Sequence, residues 1–224
     1  MHHPIIVIEG PDATGKTTWA DTFCEKYRGR KIHLTLRKQM WEYQIGAIEL
    51  AIRWSRECPV VIDRHWASEQ IYAGAYRGAS YLQEEAKWMA KALSDIGVFY
   101  VGALMGVERM ICAHAEESRK RDEMYLPSPE YRQVVLGFWD WWHGTKYADI
   151  DAGYCQTFTP MCEKYMSAYR YDRDTDGASD ELLHIHLEQV YALAAARRKF
   201  VMAESASQRL CNETRRFAAE CGYR

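Results

Sequence analysis

The sequence predicts a three-layer α/β fold: a sheet of about five parallel strands with helices on both faces. Three observations lead there. Short β-branched apolar runs recur along the chain. Longer segments with helical spacing of apolar residues fill the gaps between them. The first apolar run also breaks into a glycine-containing loop that opens straight into a helical pattern. With 224 residues and no long spacer, residues 1–224 are expected to form one domain.

Taken in order, residues 5–9 (IIVIE) are the first expected strand, followed by the loop and a helix over 17–27. Residues 31–36 (KIHLTL) give a second strand and 41–57 a second helix. Residues 60–63 (VVID) give a third strand. Helix over 80–94, strand over 98–105 (VFYVGALM), and helices over 107–121 and 129–149 come next. Residues 164–171 form a weaker fifth strand. The break at 172–179 (DRDTDGAS) is rich in turn residues and precedes a helix over 180–195, with Ser179 or Asp180 as its N-cap. From about 196 to 224 a further amphipathic helix is expected as a C-terminal extension. In such folds ligands sit at the carboxyl ends of the strands, and the polar residues of interest follow the strands here.

Composition excludes several function classes. A formal net charge of −2 argues against a protein that coats nucleic acid generally, though a local basic patch is compatible with it. The cysteines number 7, an odd count, and none forms a C-x-x-C pair, which argues against a disulfide framework or a zinc site. The start, MHHPIIVIEG, lacks the pattern of a signal peptide, and no stretch is long and apolar enough to span a membrane. A cytoplasmic protein with reduced thiols is the expectation.

The loop carries the chemistry. Gly10-Pro11-Asp12-Ala13-Thr14-Gly15-Lys16-Thr17 matches G-x-x-x-x-G-K-[ST] at every fixed position, between a strand and a helix. Gly10 and Gly15 permit a backbone path that turns successive N–H groups inward onto anionic oxygens. The helix that follows adds its positive dipole end. Lys16 supplies a mobile charge for the β- and γ-phosphates, and the Thr17 hydroxyl is placed for Mg²⁺. Gly10, Asp12, Ala13, Thr14, Gly15, Lys16, Thr17 and Thr18 are therefore the candidate ATP-binding residues.

A second constellation follows the third strand: DRHWASEQIYAGAYRG, residues 63–78. It resembles the D-R-[HY]-x-x-S-x-x-A-Y-Q-G-x-x-R-G stretch of thymidylate kinases, which are P-loop nucleoside monophosphate kinases. Asp63, Arg64, His65, Ser68, Tyr72, Gly74, Arg77 and Gly78 stand in register, while Ile71 and Ala73 depart from it. The loop, with Glu9, Gly10, Asp12, Gly15, Lys16, Thr17 and Thr18, is similar to the family's E-G-x-D-x-x-G-K-[ST]-T. The short segment between Arg37 and Asp63 is reminiscent of phage-type members.

The resemblance implies a three-layer P-loop kinase fold with a lid, and it implies roles. Arg64 would grip the acceptor phosphate, a task for which a planar fork is suited. Asp63 would orient Mg²⁺ through water, which makes it the second candidate metal residue beside Thr17. Asp12 would face the acceptor's sugar or phosphate end, and Tyr72 would lie against the sugar. Ser68 and Arg77 would border the acceptor pocket. Arg37 resembles the family arginine that also reaches the acceptor phosphate. The basic run in EESRKRDEMYLP, residues 116–127, sits where such kinases carry the lid, so Arg119 and Arg121 are candidate catalytic residues beside Lys16 and Arg64. In the helix over 41–57, Trp41, Tyr43, Ile45, Glu49 and Arg53 are candidates for the base pocket.

Other signals read as structure. Trp139, Trp141 and Trp142 are expected to pack, His184 and His186 to face different sides of a helix, and His65 to be structural.

The implied activity is ATP- and Mg²⁺-dependent phosphoryl transfer to a deoxynucleoside monophosphate, dTMP-like, giving the diphosphate. The alternatives are a nucleoside hydroxyl or a hydroxymethylated pyrimidine in DNA as acceptor, and a regulatory nucleotide switch. Small-molecule nucleotides are the expected partners, DNA only under the alternative. Family members often form homodimers, but no stripe here marks an interface.

Overall fold

β1 (Ile5–Glu9) is buried along its whole length, and its side chains alternate between two separate cores. Ile5 and Val7 join the larger core, Ile6 and Ile8 the smaller. β3 (Val60–Asp63) and β4 (Phe99–Ala103) repeat the alternation: Val60, Ile62 and Tyr100 face one way, Val61, Phe99 and Val101 the other. That is why these strands read as continuous apolar runs rather than as polar–apolar alternation. The computed structural model describes residues 2–35, 40–78, 85–120, 128–143 and 167–201.

The sheet is parallel throughout, in the order β2-β3-β1-β4-β5, with β2 (Arg30–His33) and β5 (Ser167–Tyr171) at its edges. α1 (Lys16–Tyr27) and α7 (Asp180–Val201) cover the face that holds the smaller core. α2 (Met40–Trp54), α3 (Trp66–Arg77), α4 (Glu85–Asp95), α5 (Val107–Lys120) and α6 (Pro129–His143) cover the other. The predicted three layers are therefore present. The strand order reverses around β1, so the crevice at its carboxyl end is the natural ligand site.

Several boundaries differ from expectation. The second strand stops at His33 and the fourth spans only Phe99–Ala103. The larger difference is α3, which the sequence presents as a motif without a helical signal. Its face against the core is short, because Trp66, Ala67, Ile71 and Ala73 are buried together with Ser68, Glu69 and Gln70. Polar residues on the inward side obscure the apolar stripe. α7 runs on to Val201 instead of ending near 195, and Ser179 is its cap: its Oγ accepts the Leu182 N–H at 3.2 Å. Arg198, buried near the end of α7, donates to the Ile96 carbonyl and to Ser55 Oγ, which fastens α7 to the ends of α4 and α2. The rest of the expected C-terminal helix lies outside the described residues.

The aromatic residues behave as packing. Trp141 is fully buried and meets Tyr100 and Phe138 edge-on. His186 is buried and His184 exposed, as their spacing implies. No described helix is long and apolar enough to cross a membrane.

Candidate active site

The loop after β1 is shaped by backbone geometry before any side chain acts. A Cβ on Gly10 would lie 2.3 Å from the Ala103 carbonyl oxygen, so only glycine lets the loop pass β4. Gly15 has φ 82° and caps α1, while Ala13 has φ 64°, an uncommon value for a residue with a side chain. This path leaves the first N–H groups of α1 facing a cleft of about 510 Å³. Asp12, Ala13, Gly15, Lys16, Thr17 and Thr18 line it. Gly10 and Thr14, predicted as ligand contacts, do not: Gly10 supports the loop from below, and the buried Thr14 hydroxyl donates to the Pro11 carbonyl at 2.9 Å.

Lys16 is buried and its ammonium donates to the Pro11 carbonyl. Burial first, and the nearby Arg64 charge second, push its pKa down to about 8, against the pull of Asp12, Asp63 and Glu9. The loop thus holds a cation under electrostatic stress, which an anionic ligand relieves.

Thr17 and Asp63, the two candidate metal residues, lie together, with the Thr17 hydroxyl 3.4 Å from Asp63 Oδ2. His33, at the end of β2, bonds the same oxygen at 2.8 Å. Asp63 Oδ1 is buried without a partner. A hydroxyl and a carboxylate oxygen in search of a partner suit a hard cation that takes oxygen ligands. No group of three or more acidic, histidine or cysteine side chains is arranged around a metal among the described residues.

Beyond the Asp63 turn the acceptor-side residues converge. Arg64 has φ 71°, stabilised by its N–H bond to the Ile8 carbonyl at 3.0 Å. Its guanidinium pairs with Asp12 Oδ1 and lies 5.1 Å from the Tyr72 ring centroid. The Tyr72 hydroxyl donates to Asp12 Oδ2 at 2.9 Å, and the Asp12 N–H donates back to that hydroxyl at 3.1 Å. Burial alone would raise the Asp12 carboxyl, but Arg64, Lys16 and the Tyr72 bond outweigh it and hold it below its usual range. Tyr131, from α6, donates to the Asp12 carbonyl at 2.9 Å.

A second cavity of about 240 Å³ lies on the far side of Arg64, which lines both spaces. Ser68, Tyr72 and Arg77, the candidates for the acceptor side, border it. All three are already engaged, Tyr72 with Asp12. The Ser68 hydroxyl donates to Glu9 Oε2, and Arg77 pairs with Glu69. Of the helical residues expected to form a base pocket, none lines this cavity. Trp41 and Ile45 are in the core, Arg53 is exposed, and it is Gln44 that faces in.

Arg119 is exposed on the last turn of α5 and does not line the cleft, whereas its neighbours Glu117 and Ser118 do. Arg37 and Arg121 lie outside the described residues, as does the expected lid beyond Lys120.

Sequence reading missed three supports. Arg173, after β5, donates to the Ala13 carbonyl at 2.9 Å and braces the loop from the opposite edge. Tyr131 carried no local signal, being one aromatic on an amphipathic helix. Glu9 stood in the motif without a role. Its carboxylate accepts the His65 N–H at 2.9 Å and the Ser68 N–H at 3.4 Å, capping α3 from a distant strand. Burial raises its pKa to about 7, with the bonds to Ser68 and His65 opposing the shift. His65 is buried, and that burial lowers it to about 4, so it is neutral at pH 7.

No protein-family profile matches the chain, and no curated protein does. Among solved structures it is similar to YorR from Bacillus subtilis, solved with phosphorylated GDP, at 15% identity, with 83% of this chain and 97% of that one covered and a TM-score of 0.55. It also resembles deoxyadenosine kinase from M. mycoides, at 9% identity, 84% and 99% coverage and a TM-score of 0.49.

Proposed function

From a fold that is the α/β fold of P-loop kinases, and from its paired cavities, we propose that the protein is a P-loop phosphotransferase acting on nucleotides. In this reading it transfers the γ-phosphoryl group of ATP to the 5′-phosphate of a deoxynucleoside monophosphate and yields the diphosphate. The observation that carries it is Arg64, a single guanidinium that lines both the loop cleft and the second cavity. A nucleotide switch needs only the first of these spaces. A mononucleotide suits the volume of the second better than a DNA duplex does.

The residues divide the work. The loop N–H groups and Lys16 hold the donor phosphates. Thr17 and Asp63 would hold Mg²⁺, which supplies neutralisation of phosphate charge when bound. Arg64 would orient the attacking phosphate oxygen and stabilise charge on it; a phosphate acceptor needs positioning more than proton removal. Tyr72 would close the sugar side, and Asp12 keeps Arg64 and Tyr72 in place. Arg119 and Arg121 would serve a closing lid, and Arg37 would reach the acceptor phosphate. The base expected from the resemblance is thymine.

The test incubates the protein with γ-labelled ATP, Mg²⁺ and, in turn, each deoxynucleoside monophosphate, each nucleoside and hydroxymethyluracil-containing DNA. Label should appear in a diphosphate. Arg64→Ala should abolish transfer while ATP binding persists. Transfer to no monophosphate would sink this reading, and loss of ATP binding in the variant would show that Arg64 belongs to the donor site.

A further inference from the structure

The cavity beside Arg64 contains two buried polar side chains whose bonding the fold leaves incomplete. Gln44, on α2, is 0% exposed and lines the cavity, and neither its Oε1 nor its Nε2 has a partner. Glu69, on α3, is 3% exposed and lines it too; Oε1 takes Arg77, while Oε2 takes nothing. Much of the remaining wall is apolar or aromatic, with Leu34 and the Tyr72 and Tyr76 rings, which lie 6.3 Å apart and nearly parallel. Open polar atoms inside a protein are costly and uncommon. In an aromatic-walled cavity they are what a flat heterocycle with a polar edge would satisfy.

We propose that this cavity holds the acceptor's base and selects one bearing an exocyclic amine (adenine, cytosine or guanine) over thymine or uracil. The proposal rests on the two-substrate reading above and departs from it on the base. The open atoms offer one donor group, Gln44 Nε2, and two acceptors, Gln44 Oε1 and Glu69 Oε2. Cytosine answers all three: its amine gives one hydrogen to each acceptor, and N3 accepts from Gln44. Adenine does the same through its amine and N1 or N7. Guanine accepts at O6 and donates from N1 and its amine. Thymine and uracil have a single ring N–H between two carbonyls. They can satisfy the Gln44 amide, but they have no second hydrogen for Glu69, and they set a carbonyl oxygen near a carboxylate. Burial raises the Glu69 carboxyl above its usual range, with Arg77 opposing the shift; the acceptor role of Oε2 rests on the geometry of the Arg77 pair, which occupies Oε1 and leaves Oε2 facing no donor. Discrimination of this type is large, because the unsatisfied group belongs to the protein.

The test compares dAMP, dCMP, dGMP, dTMP and dUMP, and the five matching nucleosides, as acceptors for the whole chain with ATP and Mg²⁺. Binding of the same compounds is measured by calorimetry. The best amine-bearing base should exceed both dTMP and dUMP on the order of tenfold or more in kcat/KM, the worth of one hydrogen bond to a charged group. Glu69→Gln should shrink that ratio towards one. Gln44→Leu should weaken binding of every base while raising the Tm of the free protein. Equal or better use of dTMP or dUMP overturns the proposal, as does a ratio unchanged by Glu69→Gln, or calorimetry that shows no dependence on the base. Transfer to nucleosides alone would refute the monophosphate acceptor instead, and the order of the bases among nucleosides would still decide the cavity.

Discussion

Glu9→Gln tests whether a buried carboxyl organises the Asp63 turn through its proton. Glu9 is fully buried, and its pKa rises from 4.5 to about 7, first through burial. That rise corresponds to about 3 kcal/mol between the protonated and ionised forms. The folded chain binds the proton more tightly than the unfolded chain does. The contribution to stability is therefore fully present below about pH 4.5 and is lost as pH rises through about 7. Glutamine mimics the protonated acid: it still accepts the His65 and Ser68 N–H groups on its carbonyl oxygen and cannot titrate. Urea unfolding of both proteins from pH 4.5 to 8 isolates the term as a difference. Wild type should lose about 3 kcal/mol relative to the variant across that range, or about 2–4 °C in Tm for each kcal/mol. A difference that is flat with pH would refute the reasoning and mean that Ser68 and Arg64 keep Glu9 ionised throughout.

Lys16 is charged below pH 8 and neutral above it, so affinity for metal-free ADP should fall as pH rises past about 8. Titration calorimetry between pH 7 and 9.5 should show this slope in wild type and not in Lys16→Met; equal slopes would rule Lys16 out. Asp63→Asn should raise the Mg²⁺ concentration needed for half-maximal transfer by roughly 10–100-fold, with metal-free ADP binding unchanged. Tyr131→Phe removes the bond to the Asp12 carbonyl and should cost about 1 kcal/mol in urea unfolding. Gly10→Ala places a methyl against the Ala103 carbonyl oxygen, and a loss of about 1–3 kcal/mol should appear in the same assay.

The strands and the loop were legible because their signals are local. Ile5–Glu9 needs only its own run of apolar residues, and Gly10 to Thr17 only its own spacing. Thr17 is singled out by the loop and Asp63 by the resemblance at residues 63–78, and the two lie together in the structure, as do Asp12, Arg64 and Tyr72. What stayed hidden depends on contacts between distant segments. α3 turns Ser68 and Glu69 inward, against the usual rule, because Glu9 and Arg77 are there to receive them. Gln44 differs in no visible way from its polar neighbours on α2, and only the position of α3 makes it a cavity wall. Arg119 is a basic residue whose lid role rests on the resemblance alone: it is exposed on α5, and the segment that follows lies outside the described residues.

The Asp12–Arg64 pair has a consequence for how the two cavities communicate. Arg64 is among the charges that loosen the Lys16 proton, and Asp12 among those that tighten it. An acceptor phosphate that neutralises Arg64 would remove the repulsion and leave the attraction, so Lys16 would become a better cation just as the donor site is needed. Binding in one cavity then strengthens binding in the other. Reciprocity requires that whatever factor the acceptor adds to ATP affinity, ATP adds to the acceptor's. The residues that separate the two substrates would also be the ones that make their occupancies cooperative.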